Sequence, residues 1–195
     1  MKKPIQTALL RVAGAVLLGM ALTVSALAGT FEDGLQQYLS GDYEAALRLW
    51  TPLVDRDDAV GQFIRGTMCE TGHDVPHDDE EAVRWYRMAA DQGLAAAQFK
   101  LGTMFEKGRG VLQDYAEAIK WFRSAAEQSF IPAQGSLAVL YRYGFGVAQD
   151  NIQAYVWFDL AENDDDRNSV AESMTPEQIA EARRQAKELR LKSRP

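Results

Sequence analysis

Leu101 to Gln128 reads L-G-T-M-F-E-K-G-R-G-V-L-Q-D-Y-A-E-A-I-K-W-F-R-S-A-A-E-Q, and the spacing of its apolar residues decides the fold. With Ala97 just before it, Leu101, Met104 and Phe105 fall at i, i+4, i+7 and i+8, one apolar stripe on a helix. Gly108-Arg109-Gly110 ends that stripe in a turn. Asp114 then opens a second helix: its carboxylate accepts from the free amides of the first turn, and Glu117 three residues on gives a capping box. Ala118, Trp121, Phe122 and Ala125 supply the buried face of that helix. Gly102, Ala118 and Ala125 are small enough to let a neighbouring helix approach closely.

The same pattern recurs every 36 residues. Trp85, Trp121 and Trp157 keep the register, each followed by an aromatic residue, Tyr86, Phe122 and Phe158. So do Gln62, Gln98 and Gln134; Gly72, Gly108 and Gly144; and the caps Asp78, Asp114 and Asp150. Residues 59–94 and 95–130 share 17 of 36 positions, and 95–130 and 131–166 share 12, too many for chance. One such unit cannot bury its apolar face alone, so the spacing predicts an all-α solenoid of stacked helix-turn-helix repeats at 59–94, 95–130 and 131–166.

A degenerate first repeat occupies 29–58: Phe31, Leu35, Tyr38 and Leu39 make a helical stripe, and Gly41-Asp42 makes a turn and a cap. Its turn is about four residues shorter than that between Gly102 and Asp114. After the third full repeat, Asn163 to Ser173 is expected to be a loop. Thr175-Pro176-Glu177-Gln178 then starts a C-terminal capping helix over 174–191, with Ile179, Ala182, Ala186 and Leu189 inward among charges that suit a solvent-facing end.

Residues 1–28 are expected to be removed. Lys2, Lys3 and Arg11 make a positive start, Val12 to Leu22 is apolar, and Ala26-Leu27-Ala28 is a small-x-small cleavage site before Gly29. The alternative is an uncleaved anchor, since Val12 to Ala28 carries no charge over 17 residues, the lower edge of about 17 to 25 needed to span a bilayer. The protein is therefore expected to be periplasmic or secreted, with no membrane insertion once the leader is gone. The whole chain has 21 basic and 28 acidic residues, and the leader takes three of the basic ones and none of the acidic. So acidic a chain is not expected to bind nucleic acid or an anionic surface.

Groups that could carry chemistry fall into the repeat register. Cys69, the only cysteine, aligns with Phe105 and Tyr141 and is expected to be a buried thiol, pairing between molecules being the alternative. His73 and His77 are flanked by Glu70, Asp74, Asp78 and Asp79, a composition able to bind zinc or copper. They align, however, with Arg109 and Gln113 in a turn, and Asp78 is already a cap, so no metal or cofactor is expected. Glu162, Asp164, Asp165 and Asp166 lack the spacing of a calcium loop and read as solvated. The paired glycines 108/110 and 144/146 have no third glycine and no strand before them, which excludes a dinucleotide loop. Neither G-x-S-x-G, H-E-x-x-H nor a phosphate-binding loop is present.

Leu101 to Gln128 resembles the Sel-one-like repeat, a relative of the tetratricopeptide repeat with a longer turn, and the resemblance extends over residues 31 to 166. Arg65, where that family has Leu, and His73 and Asp74 in the turn are departures. The resemblance implies a right-handed superhelix of helix pairs that serves as a protein-interaction adaptor, with no shared chemistry. By the tetratricopeptide register, the first helices would face a concave groove with Phe63, Thr67 and Glu70; Phe99, Thr103 and Glu106; and Gly135, Val139 and Arg142. Aromatics with a charged rim suit a peptide interface, although packing between repeats is an equal use of Phe63 and Phe99. The expected function is binding of another protein or peptide without catalysis. A hydrolase acting on cell-wall or lactam substrates, and an assembly factor of an envelope or polysaccharide-export complex, are the alternatives.

Overall fold

The structure, a computed structural model, describes residues 29–192, so the leader read in residues 1–28 lies outside the described residues. Two units form within the chain, dividing between Arg56 and Asp57. In the first, α1 (29–40) and α2 (Tyr43–Trp50) are followed by a 3-10 turn, Thr51–Leu53. Asp42 caps α2 by accepting from the Ala45 amide. Trp50 is the centre of this small core. Its indole N–H donates to the Phe31 carbonyl at 3.1 Å, and its ring lies 5.8 Å from those of both Phe31 and Tyr38. Leu39, expected in the buried stripe, is instead exposed.

The second unit contains three helix pairs. These are α3 (Ala59–Thr71) with α4 (Asp79–Asp91), α5 (Ala95–Lys107) with α6 (Tyr115–Glu127), and α7 (Ile131–Tyr143) with α8 (Asn151–Leu160). Each helix packs on its neighbours in chain order, the pattern of a helical-repeat solenoid. Gly72, Gly108 and Gly144 end the first helices in the left-handed conformation, with φ of 66° to 72°. Asp78, Asp114 and Asp150 cap the second helices through their side chains. The reciprocal half of each expected capping box is not made. The backbone N–H of Asp114 donates instead to Phe105 O, as Asp78 does to Cys69 O and Asp150 to Tyr141 O, so the cap amide stitches the turn to the end of the first helix. Glu81 and Glu117 are left to pair with Arg84 and Lys120.

Packing within each pair is led by the second aromatic residue of the Trp-aromatic pair. Tyr86, Phe122 and Phe158 are fully buried, while Trp85 and Trp121 are only half-buried and Trp157 is buried at the end of the array. This corrects the expectation that Trp121 belongs with Phe122 to the buried face of its helix. Helix phase explains it, because Trp121 and Phe122 lie a hundred degrees apart on either side of Ala118 and Ala125, and Phe122 is the one turned onto Gly102. Gly102 is what admits Phe122, since a Cβ at that position would lie 2.7 Å from the ring. Arg65, the departure from the family pattern, lays its guanidinium over the half-buried face of Trp85 at 5.1 Å.

Successive pairs are joined where each turn meets the start of the preceding second helix. Gly110 (φ 65°) lies so close to α4 that a Cβ would be 2.2 Å from Asp79 O, and Gly146 (φ 69°) repeats this against Tyr115. Only glycine has both the backbone freedom and the missing side chain for that contact. Asp74 keeps the same left-handed turn, with φ of 59°, in the first full repeat.

Asn163 to Ser173 is not a loop. Asn163 caps α9 (Asp164–Ala171), accepting from the Asp166 amide, and the three aspartates expected to be solvated form its first turn, where the helix dipole favours them. The last helix, α10 (Pro176–Lys192), has a complete capping box: Thr175 N–H donates to Gln178 Oε1, and Gln178 N–H to Thr175 Oγ1. Ala182 and Ala186 are buried on α8, and Gln185 and Arg190 bond to Gln153 and Asp159 across that contact. None of the helices among the described residues is long and apolar enough to cross a membrane.

Candidate functional site

The expected groove ladder divides into two groups. Phe63 and Thr67 are fully buried: the Phe63 ring packs 5.6 Å from that of Tyr86, and the Thr67 hydroxyl donates to Phe63 O. Neither can face a partner. Phe99 is half-buried between the rings of Phe122 and Phe130, at 5.7 Å and 5.5 Å, so packing accounts for it as well. Thr103, half-buried, returns its hydroxyl to Phe99 O. Arg142 is held by α9 through Asp166 at 3.1 Å and Ser169 at 2.8 Å.

Glu70 is also spent inside the protein. Its Oε1 accepts from Lys100 Nζ at 2.8 Å and Arg109 Nη1 at 3.1 Å, and its Oε2 accepts from Tyr86 OH at 2.6 Å. Arg109 in turn forms a two-pronged pair with Asp79, at 3.1 and 2.7 Å. Burial alone would raise the Glu70 carboxyl; the charge and hydrogen bond of Lys100, with Tyr86 and Arg109, outweigh it and hold the group below its ordinary value. Burial lowers the Lys100 ammonium against the pull of Glu70. The two directions oppose each other, and with three donors converging on the carboxylate the lowered Glu70 value is the one the geometry supports. This cluster is the electrostatic joint between the first two full repeats.

One repeat later the same positions hold different chemistry. Glu106 takes the place of Glu70, but Phe122, Ser136 and Phe145 stand where Tyr86, Lys100 and Arg109 stood. The ion pair of Asp79 with Arg109 becomes a stack of Tyr115 on Phe145, with centroids 5.3 Å apart and planes at 20°. Glu106 is left half-buried, and burial raises its carboxyl above the ordinary value against a weaker opposing pull from Lys107. Glu70 and Glu106 are equivalent by repeat register, but the cations 30 and 39 residues beyond Glu70 have no counterpart beyond Glu106, which makes the two carboxylates opposites.

The third repeat is also where apolar groups reach solvent. Ile131, Val139, Tyr143 and Phe145 are 55%, 36%, 59% and 45% exposed, at positions that carry Ala95, Thr103, Lys107 and Arg109 one repeat earlier. Ile131, Gly135, Val139 and Tyr143 lie four apart and make one ridge on α7, with Gly135 a notch around which a Cβ would meet nothing within 4 Å. Val139 and Gly135 were the ladder positions that the sequence placed at the surface; Tyr143 and Phe145 were missed, although their departure from Lys107 and Arg109 was visible in the repeat alignment.

Reactive groups do not converge. Cys69 is half-buried rather than buried, and its thiol is raised by burial and by the charges of Glu81 and Asp78, which keeps it protonated. The His77 ring bonds Glu70 O at 2.8 Å, and His73 lies 3.4 Å from Asp74. Among the described residues, no three His, Cys, Asp or Glu side chains are grouped to hold a metal ion.

A second internal ladder is built from glutamines. Gln92 Nε2 donates to Gln62 Oε1 at 2.7 Å, and Gln128 Nε2 to Gln98 Oε1 at 2.8 Å. Gln98 and Gln134 each donate through Nε2 to a backbone carbonyl, of Ala90 and Ala126, at 3.2 Å.

Comparison with known proteins agrees with this geometry. The family model of the Sel1 repeat matches residues 59–94, 95–130 and 131–166. Among solved structures, a Sel1 repeat protein from Oxalobacter formigenes is 31% identical with a TM-score of 0.57, over 73% of this chain and 57% of that one. A protective antigen present in uropathogenic Escherichia coli strains, which displays an SLR fold, is 27% identical with a TM-score of 0.58, over 91% of this chain and 48% of that one. The chain thus spans about half the length of these proteins. No curated protein matches it in sequence.

Proposed function

This chain belongs to the Sel1 repeat family, whose members are generally scaffolds for contacts between proteins, and from that premise we propose that it is an exported adaptor binding a polypeptide partner on its third repeat. Export rests on the leader-like residues 1–28. The observation that carries the binding surface is the replacement of Ala95, Thr103, Lys107 and Arg109 by exposed Ile131, Val139, Tyr143 and Phe145. Exposed apolar groups gathered on one ridge mark an interaction site, whereas scattered ones do not. Glu106 adds the charge. By register it stands where Glu70 receives Lys100 and Arg109 in the first joint, and a lysine or arginine of the partner supplies the cation that the second joint lacks.

A photo-crosslinking residue at Val139 should trap one discrete partner in cells, and Tyr143→Asp should abolish the adduct without moving the urea midpoint. Glu106→Gln should weaken the same capture while raising the midpoint of the free protein. The sign follows from its raised carboxyl: the charged form is disfavoured in the fold, so stability is full at acid pH and falls as pH rises through the folded value. Adducts that survive Tyr143→Asp, or arise only from other faces, would place the partner elsewhere.

A further inference from the structure

The two joints share a backbone arrangement and differ in what fills it. Gln128 bonds Gln98 at 2.8 Å as Gln92 bonds Gln62 at 2.7 Å, and Gly146 meets Tyr115 as Gly110 meets Asp79. The floor is repeated too: the Phe99 ring lies 5.7 Å from Phe122, as Phe63 lies 5.6 Å from Tyr86. Over that floor in the first joint runs Lys100, its Nζ 5.8 Å from the Tyr86 ring centroid and 2.8 Å from Glu70 Oε1. In the second joint Ser136 stops at its γ oxygen where Lys100 continues, and Gly135 stands in the place of Phe99, with nothing within 4 Å of where a Cβ would be. Phe99 and Thr103 are half-buried, whereas Phe63 and Thr67 are fully buried. Glu106, half-buried, is on the same helix as Phe99 and Thr103. Among the described residues no hydrogen bond reaches its carboxylate, and the charge that acts on it is that of Lys107, its exposed neighbour in the chain.

A carboxylate drawn half out of water without a partner is stabilised by a cation. Two cations serve Glu70, and the second joint treats their places differently. Phe145, stacked on Tyr115, fills the place of Arg109, whereas the path of Lys100 is open above Ser136. That difference selects the cation: an unbranched stem with a compact ammonium follows the path of Lys100, and a broad planar guanidinium does not. The acidic balance of the chain, 28 acidic against 21 basic residues, favours the approach of a basic segment. Resting on the adaptor reading, we propose that the strip between α5 and α7, over Gly135 and Ser136, receives a lysine side chain of the polypeptide partner. Its methylenes lie along Phe99 and Gly135, and its ammonium pairs with Glu106 as Lys100 pairs with Glu70.

The test titrates the purified protein with Nα-acetyl-lysine N-methylamide and follows the side-chain carboxyl carbon of Glu106 by NMR. That resonance should shift saturably. The norleucine counterpart, of similar shape without the charge, should bind about tenfold more weakly, the difference of one charge-assisted hydrogen bond. The arginine counterpart should also bind more weakly than lysine. No saturable shift, or equal binding of lysine and norleucine, would overturn the site, and arginine binding as tightly as lysine would overturn the choice of cation. Ser136→Lys supplies the ammonium within the chain: it should lower the titration midpoint of Glu106, as Lys100 lowers that of Glu70, and abolish the lysine-probe shift. Ser136→Met, of similar length without charge, should not lower that midpoint. The probe titrations on the unaltered protein decide even if a variant does not fold. Crosslinking at Val139 tells the two readings apart. Adducts at full yield in Ser136→Lys would overturn the lysine receptor and leave the adaptor standing, whereas a lysine-probe shift with no adduct would overturn the polypeptide source.

Discussion

Phe122→Ala should lower the free energy of unfolding by about 3–5 kcal/mol, and Trp121→Ala by less than half as much. The two residues are adjacent, but Phe122 is fully buried against Gly102, whereas Trp121 keeps part of its ring in solvent. Removing the phenylalanine leaves a void between α5 and α6 that a glycine cannot fill by relaxing. Trp50 should behave like Phe122 in its own unit, because it is equally buried and meets Gly34 as Phe122 meets Gly102. Urea melts of the three variants give the order directly. A loss at Trp121 equal to that at Phe122 would mean that the tryptophan, not its neighbour, closes the joint.

Glu70→Ala should cost about 3–5 kcal/mol, the usual penalty for removing one member of a buried ion pair. The same change at Glu106 should stay within about 0.5 kcal/mol of the parent. The charge left behind decides the size, since Lys100 is buried and loses its counter-ion while nothing depends on Glu106. The pH dependence carries the sign. The folded Glu70 carboxyl lies below its ordinary 4.5, so its contribution is complete above that value and is lost as pH falls through the folded one. The parent should therefore show an acid limb that Glu70→Ala lacks. In the variant, burial and the like charges of Arg109 and Lys107 act on Lys100 unopposed and favour its neutral form, so stability should recover as pH rises toward the alkaline range. Equilibrium melts across pH check both limbs.

The helix pairs were legible because their signals are local. Asp114 and Thr175 announce helix starts through side-chain geometry that involves three residues, and Gly108 announces an end. Which aromatic lies inside was not legible from the 36-residue period, since Trp121 and Phe122 both obey it. The first unit held the missing clue: Trp50 aligns with Tyr86 and Phe122, not with Trp85 and Trp121. The helix α9 was missed because three aspartates suggest solvent, yet behind an asparagine cap they are favourable first-turn residues, and Arg142 and Arg167 answer two of them. The ladder failed at Phe63, Thr67 and Glu70 because a register borrowed from another repeat gives position on a helix and says nothing of depth. Depth depended on Tyr86, Lys100 and Arg109, each supplied from another helix or turn.

The joint made by Arg109 on Asp79 and the one made by Phe145 on Tyr115 occupy equivalent places but answer to different properties of water. Salt screens the first, whose guanidinium is partly solvated; it leaves the aromatic stack intact. Cooling weakens apolar association and acts first on the second. The order in which the array comes apart is therefore set by the medium and not by the chain alone. Two matched reporters exist, the Arg109 amide bonded to Met104 O and the Phe145 amide bonded to Leu140 O. Raising salt should speed hydrogen exchange at the former more than at the latter, and cooling should reverse their ranking once the intrinsic rates are divided out.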